Sequence, residues 1–149
     1  DIFEENGLPT RIMSAHPIQN IFLPMNYHQA KQDLEQGYVV IFAGGTGNPF
    51  FTTDSAASLR ASEIQADILL KATTVDGVYS DDPQKVTNAT RYQHLTYQEA
   101  LDKELGIMDL SAFCICRDNN LQLRVYRADK TDALARIIAG DDEGTLVTN

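Results

Sequence analysis

Positive charge is scarce in this chain. Its 149 residues hold 12 Lys and Arg against 21 Asp and Glu, a formal net charge of -9. That balance weighs against nucleic acid or an anionic membrane as the main partner, because both attract basic surfaces. It leaves room for a phosphorylated small molecule, which backbone N–H groups and a few local cations can hold. Long apolar runs are also missing. No stretch approaches the roughly 20 residues a membrane-spanning helix needs, and no signal pattern opens the sequence. Cysteine is limited to Cys114 and Cys116. One residue apart, they would face different sides of a helix, so they read as buried reduced thiols rather than a metal or redox pair. No Ser/His/Asp or Cys/His constellation is visible, which disfavours covalent hydrolase chemistry. No His/Cys cluster suggests zinc. Asn88-Ala89-Thr90 fits a glycosylation sequon, but without a secretory signal it is read as chance. These absences suit a cytoplasmic protein. The length is that of one domain with a sizeable core, and 43% hydrophobic with 22% charged residues is a globular composition.

The most informative stretch runs from Val39 to Asp54. Val39-Val40-Ile41-Phe42-Ala43 reads as a buried strand. Gly44-Gly45-Thr46-Gly47-Asn48-Pro49 then turns the chain. Thr52, Thr53 and Asp54 offer N-cap side chains to a helix starting near Ser55. Strand, glycine loop and helix N-terminus in that order can make an anion site, with the first-turn N–H groups and the helix dipole facing the ligand. The pattern is neither a P-loop, since no Lys follows in register, nor G-x-G-x-x-G. The alternative is an ordinary tight turn between strand and helix.

The rest of the chain alternates strand and helix. Residues 1–7 look like the end of a helix capped by Gly7. With Asp1 in place of a start methionine, they suggest that upstream sequence is missing. Residues 8–15 read as a strand and 18–23 as a loop or short extended piece. His16, before Pro17, reads as structural or solvated. Asn26 caps a helix to Gln36 with Tyr27, Ala30 and Leu34 on one face, and Gly37 ends it. A helix over 54–65 with Ala57, Ala61 and Ile64 on one side leads to strand 67–72, apolar enough to be covered on both faces. Two such strands around a helix make a βαβ unit with parallel strands. Asp76-Gly77 between β-branched residues predicts a hairpin, and 84–92 an exposed loop. Thr96 and Glu99 form a capping box for a helix to Leu105 closed by Gly106. Asp109 caps a helix to about Asn119. A strand over 121–126, a helix over 131–139 ended by Gly140, and a short strand over 144–148 complete the chain. The expected class is α/β, a three-layer αβα sandwich with a mostly parallel sheet, in one domain over 1–149.

Ligands collect at the C-terminal ends of strands in such sheets. The loops placed there are 44–53, 73–82 and 106–109. Their polar residues are Thr46, Asn48, Thr52, Thr53, Thr73, Asp76, Asp81, Asp82 and Asp109. Carboxylates beside a phosphate-type loop suit Mg²⁺-dependent phosphoryl transfer, which also needs cations on the transferring group. Of five lysines, Lys71 lies inside a strand and the others fall in peripheral elements, so the cation supply reads as incomplete. Phe50 and Phe51 could face a base or pack under the loop. Asp76 reads as a turn residue, and Asp109 as a cap that could also orient a lysine.

Gly45-Thr46-Gly47-Asn48-Pro49-Phe50-Phe51-Thr52-Thr53-Asp54-Ser55-Ala56-Ala57 closely resembles the nucleotide loop of bacterial uridylate (UMP) kinases. Lys71-Ala72-Thr73-Thr74-Val75-Asp76-Gly77-Val78-Tyr79 with Asp82-Pro83 is similar to their ATP-side hairpin. Leu95-Thr96-Tyr97, Met108-Asp109-Leu110 and Gly144-Thr145-Leu146-Val147 follow in the family's order. The Asp-Gly-Val-Tyr and Asp-Pro part is shared across the amino-acid kinase superfamily; the 45–53 part is specific to UMP.

The resemblance implies roles. Thr46, Gly47, Asn48, Pro49, Phe50, Phe51, Thr52 and Thr53 would bind UMP. Thr73, Tyr79 and Asp82 would hold ATP around its adenine and ribose, with Mg²⁺ accompanying ATP. Asp109 would sit near the transferring phosphate and orient an active-site lysine. The family forms cytoplasmic hexamers activated by GTP and inhibited by UTP. Its N-terminal portion carries a phosphate-binding Lys, a second glycine loop and further UMP contacts. The chain therefore reads as the C-terminal part of such a kinase, inactive alone. Thr74, Gln122 and Arg127 depart from the usual Lys, Pro and Asn, which touches the details of the ATP pocket and regulation. Two alternatives stand beside this reading: an aspartate- or glutamate-type kinase of the same superfamily, and a non-catalytic nucleotide-binding fragment.

Overall fold

The structure is a computed structural model describing residues 2–19 and 21–149. Asp1, in the expected N-terminal helix, and Asn20, in the 18–23 piece, lie outside the described residues. The chain divides into two compact units, residues 1–65 and 66–149.

In the first unit, α1 (Ile2–Glu5) ends at Gly7 and leads to β1 (Thr10–Ser14), β2 (Leu23–Pro24), α2 (Tyr27–Glu35), β3 (Val39–Ala43) and α3 (Thr53–Glu63). The sheet order is β2-β1-β3. Both ladders are parallel, with Ile12 opposite Ile41 and Met13 opposite Phe42 and Leu23. Parallel pairing sends the C-terminal ends of β1 and β3 to the same edge. The stretch after Ser14 therefore meets the glycine loop after Ala43.

Two helix faces differ from expectation. Asn26 caps α2 as read, its Oδ1 accepting the Gln29 N–H at 3.2 Å. Yet Tyr27 is 42% and Leu34 39% exposed, while Ala30 and Asp33 are buried. The helix closes with the Tyr38 N–H on the Asp33 carbonyl at 3.0 Å, drawing the Asp33 turn inward toward β3. In α3, Thr52 alone is the cap and Thr53 is already helical. Ala57 is exposed, and the buried face is Ser55, Ala56, Ser58 and Ala61. Short side chains permit close approach, and a hydroxyl with a partner need not face water.

In the second unit, β4 (Ile68–Thr73), β5 (His94–Thr96), α4 (Tyr97–Asp102), α5 (Leu110–Asp118), β6 (Gln122–Arg127), α6 (Ala133–Ala139) and β7 (Thr145–Thr148) follow in order. The sheet order is β4-β6-β7-β5. β4 with β6 and β5 with β7 are parallel, and only β6 with β7 is antiparallel. The α/β class and the mostly parallel pairing stand. Two strand readings change. β3 and β4 fall in different sheets, not one βαβ ladder. Both are half-buried edge strands rather than strands covered on both faces. The core of this unit is Leu95, Tyr97, Ala112, Cys116, Leu123 and Val147, all at most 2% exposed. Tyr97 meets Phe113 edge-on at 4.8 Å. Its hydroxyl donates to the Leu121 carbonyl at 2.6 Å. Burial pushes the Tyr97 phenol well above its ordinary value. Cys114 is half-buried and Cys116 buried, both as free thiols.

Three local readings also change. Asp76-Gly77 does not close a two-residue hairpin: Tyr79 bridges Arg91 instead, with Ser80 N–H on Thr90 O and Tyr92 N–H on Val78 O. The chain after Gly77 pairs with the far end of the 80–90 excursion because Thr145 of β7 captures the Val78 N–H there. Helix α4 stops at Asp102, and Glu104, not Gly106, takes the left-handed position at φ 52. Glu104 N–H bonds Leu101 O and Leu105 N–H bonds Ala100 O, at 3.0 Å each, a complete Schellman closure. The last helix starts at Ala133, because Asp132 sits at φ 57.

A buried carboxylate ties the end of this unit together. Glu143, 8% exposed, accepts from Lys130 at 2.7 Å and Arg136 at 3.0 Å. The Lys130 hydrogen bond, aided by Arg136, holds its carboxyl below the usual Glu range.

Two outcomes follow. Glu104→Gly relieves a left-handed backbone that costs a β-carbon, and should raise stability by about 0.5–1 kcal/mol in denaturant unfolding. Glu143 contributes stability that is present above the unfolded Glu pKa of about 4.3 and is lost as pH falls through its lower folded value. Urea midpoints between pH 6 and 3 should fall less steeply in Glu143→Gln than in the parent; equal slopes would remove Glu143 from the acid response.

Candidate functional site

In the first unit, β3 delivers the chain into a loop with four left-handed residues: Gly44 at φ 76, Gly45 at 65, Gly47 at 78 and Phe50 at 71. Gly44 and Gly47 are fixed by crowding as well. A Cβ on Gly44 would stand 3.0 Å from Ser14 Oγ, and one on Gly47 3.2 Å from Ala15 Cβ. Ser14 Oγ accepts the His16 N–H at 3.1 Å and donates to the His16 carbonyl at 2.9 Å, setting the β1 end against the loop. Between them lies a cavity of about 430 Å³ lined by His16, Gly44–Pro49, Phe51, Thr52 and Thr53.

Seven of the eight residues expected to bind UMP line this cavity. Phe50 does not: it is fully exposed. The N–H groups of Asp54 and Ser55 are already held by Thr52 Oγ1, at 3.1 and 3.3 Å. The Thr46 hydroxyl takes the Asn48 N–H at 3.1 Å. Arg60, paired with Glu63 at 2.7 Å, reaches the Gly45 carbonyl at 3.4 Å. The lining offers loop backbone, an amide, hydroxyls, the Phe51 ring and the His16 imidazole, with no Lys or Arg among these residues. Such a set suits a ligand carrying a flat heterocycle and hydrogen-bonding groups. His16 reads from sequence as structural or solvated; the signal that places it at the cavity is the parallel register of β1 with β3.

In the second unit a cavity of about 580 Å³ opens where β4 ends, lined by Lys71, Thr73, Val75, residues 77–83, residues 103–107 and Val125. Thr73, Tyr79 and Asp82, expected to hold ATP, all lie here. So do Lys71, expected inside a strand, and Lys103, expected in a peripheral element. Lys103 is the C-cap of α4, and the Schellman turn after it folds 103–107 against the end of β4. Asp82 accepts the Gln84 N–H at 3.0 Å and pairs with Lys85 at 3.0 Å. Lys85, together with that N–H, holds its carboxyl below the usual range.

The wall of this cavity is clamped from behind. Thr145, fully buried, accepts the Val78 N–H at 2.9 Å and donates to the Tyr92 carbonyl at 2.5 Å. Gly77 passes so close that a Cβ would stand 2.5 Å from Thr145 Oγ1 and 2.9 Å from Arg91 Cδ. Asp109 does not line the cavity. It caps α5, its Oδ1 accepting the Ala112 N–H at 3.0 Å and the Ser111 hydroxyl, two residues beyond Ile107, which does line it.

The profile of the amino acid kinase family matches residues 1–127. The chain belongs to the amino acid kinase family. Among its relatives, a uridylate kinase of Coxiella burnetii is 58% identical over 147 residues, covering 99% of this chain and 60% of that protein. A uridylate kinase of Marinobacter nauticus is 53% identical, covering 99% and 61%. The solved structure of a UMP kinase from Bacillus anthracis matches with a TM-score of 0.95 at 34% identity, covering 99% of this chain and 61% of that one. The chain thus spans about 60% of the length of the curated relatives it matches.

In Thr145→Val the shape remains but the Val78 N–H and Tyr92 carbonyl lose their partner. The expected cost is about 2–3 kcal/mol in chemical unfolding. A loss under about 0.5 kcal/mol would mean that the clamp is not needed.

Proposed function

We propose that this chain is the nucleotide-binding part of a UMP kinase, which transfers the γ-phosphoryl of ATP to UMP and yields ADP and UDP. The observation that carries it is the loop after β3. Its left-handed glycines, of which Gly44 and Gly47 are crowded by Ser14 and Ala15, leave a cavity bounded by Thr46–Pro49 and Phe51–Thr53. That segment is the one that resembles the UMP loop rather than the wider superfamily.

In this reading the Phe51 ring and the Asn48 amide face the uracil, and the loop backbone and threonine hydroxyls orient the ribose and phosphate. ATP occupies the second cavity, with Thr73, Tyr79 and Asp82 around adenine and ribose, and Lys71 and Lys103 adding positive charge. Asp109, held rigid as a cap, orients the lysine at the transferring phosphate. Transfer is in line and without a covalent enzyme intermediate. Catalysis of this kind is positioning and charge neutralisation rather than bond-making by the protein. Among the described residues no three His, Cys, Asp or Glu side chains converge, so they form no Mg²⁺ cage of their own. Mg²⁺ keeps several waters and binds mostly through phosphates; it would come with ATP and neutralise phosphate charge. The transfer is proposed for the whole protein, with this chain as one part of its kinase-type domain. Cytoplasmic location, a hexamer, GTP activation and UTP inhibition belong to the same proposal and rest on the family resemblance. No helix among the described residues is long and apolar enough to cross a membrane.

Thermal unfolding of the chain with UMP, UDP, Mg²⁺-ATP or aspartate added singly tests the reading. A ligand at a hundred times its dissociation constant stabilises by about 2.7 kcal/mol. Shifts with uridine nucleotides and ATP but not with aspartate are expected. A shift with aspartate alone would overturn the assignment in favour of an amino-acid substrate.

A further inference from the structure

Asp76 stands outside both the cavity lining and the roles assigned so far, and was read only as a turn residue. Its surroundings give it more. One carboxylate oxygen accepts the Tyr79 hydroxyl at 2.7 Å. The other lies 3.6 Å from the Arg91 guanidinium, which also donates to the Asp76 carbonyl at 3.0 Å. Arg91 is the residue bridged to Tyr79 across the neck of the 80–90 excursion. The same Arg91 side chain packs over Gly77, where a Cβ would meet its Cδ at 2.9 Å. Three residues from two segments thus close one ring of contacts, and only Tyr79 among them faces the cavity.

We propose that Asp76 is a positioning residue for the nucleotide cavity: its carboxylate fixes the Tyr79 ring as a wall and, through that ring, sets the affinity for an adenine nucleotide. The proposal rests on reading this cavity as the ATP site. A tyrosine ring with a free hydroxyl rocks about its side-chain torsions. With the hydroxyl bonded to an ionised acceptor, itself held by a guanidinium, the ring is preorganised, and less ordering remains for the ligand to supply. The contact leaves a mark on the phenol, which the Asp76 hydrogen bond, then burial, holds above its ordinary value.

The test uses the full chain and three variants: Asp76→Asn, Tyr79→Phe and the double variant. Each is measured for Mg²⁺-ATP affinity by calorimetry and for phenol ionisation by ultraviolet titration, with far-ultraviolet dichroism checking that each folds. Asp76→Asn should weaken ATP about fivefold, the equivalent of ~1 kcal/mol. Tyr79→Phe should do the same, and the double variant should be no weaker than either single one, since both remove one contact. The titration should show one phenol, absent from Tyr79→Phe, ionising at lower pH in Asp76→Asn. Additive losses, or an unchanged ATP affinity in Asp76→Asn, would overturn the proposal. If the parent chain binds no ATP, the ATP reading of the cavity fails by itself. The titration then decides the role of Asp76: an unmoved Tyr79 phenol refutes it, and a lowered one sustains the positioning contact for whatever ligand the cavity takes.

Discussion

The second unit depends on one buried hydroxyl. Thr145 sits on β7, between a strand that runs with it and one that runs against it. Its side chain meets an N–H from residue 78 and a carbonyl from residue 92. Two segments separated by a polar excursion are thereby pinned to the sheet at one point. A buried amide without a partner costs more than a hydrogen bond gains, so the excursion can wander only outside this neck. The closeness also dictates its neighbour, since no side chain fits at Gly77. The cavity, Tyr79 and the Asp76–Arg91 contact inherit their places from that pin.

The two units solve the same problem with different chemistry. In the proposed reading, a chain of net charge -9 holds phosphorylated ligands. Its first unit uses loop backbone shaped by glycines and keeps charged side chains out of the described lining. Its second has Lys71 and Lys103 beside Asp81, Asp82 and Glu104 in a mixed lining, with Lys85, outside the lining, paired to Asp82. Elsewhere cations are spent locally: Arg127 on Asp129, Arg117 on Asp118, Lys130 and Arg136 on Glu143. The acidic balance therefore describes the surface at large and says little about either cavity.

What the sequence made legible was local and periodic. The caps at Asn26, Thr96 and Asp109 stand where side-chain chemistry put them, because a cap is decided within four residues. The α/β alternation and the glycine loop were legible for the same reason. The Asp76-Gly77 hairpin was not: the turn signal is sound, but a long-range partner, Thr145, captured the N–H that a hairpin would have used. Gly106 failed as a cap because the helix closed two residues earlier on Glu104, a choice made by the 103–107 turn and not by propensity. His16 and Lys103 entered the cavities through strand register and helix closure, neither of which can be read from spacing.

Backbone strain separates the two kinds of left-handed residue. Among the described residues, five other than glycine have positive φ: Phe50, Gln65, Glu104, Asn120 and Asp132. Gln65, Glu104 and Asn120 follow α3, α4 and α5, where the left-handed turn lets N–H groups bond the last carbonyls. Asp132 directly precedes α6. Helix boundaries account for these four. Phe50 is at no helix end, and its ring is wholly exposed, so packing does not offset a conformation that costs roughly 1–2 kcal/mol. It stands between Pro49, with a fixed φ, and the Phe51–Thr52 stretch, tied down by the cap on Asp54 and Ser55. The strain is the consequence of closing the loop around the cavity, and it falls on the residue whose side chain the closed loop turns outward.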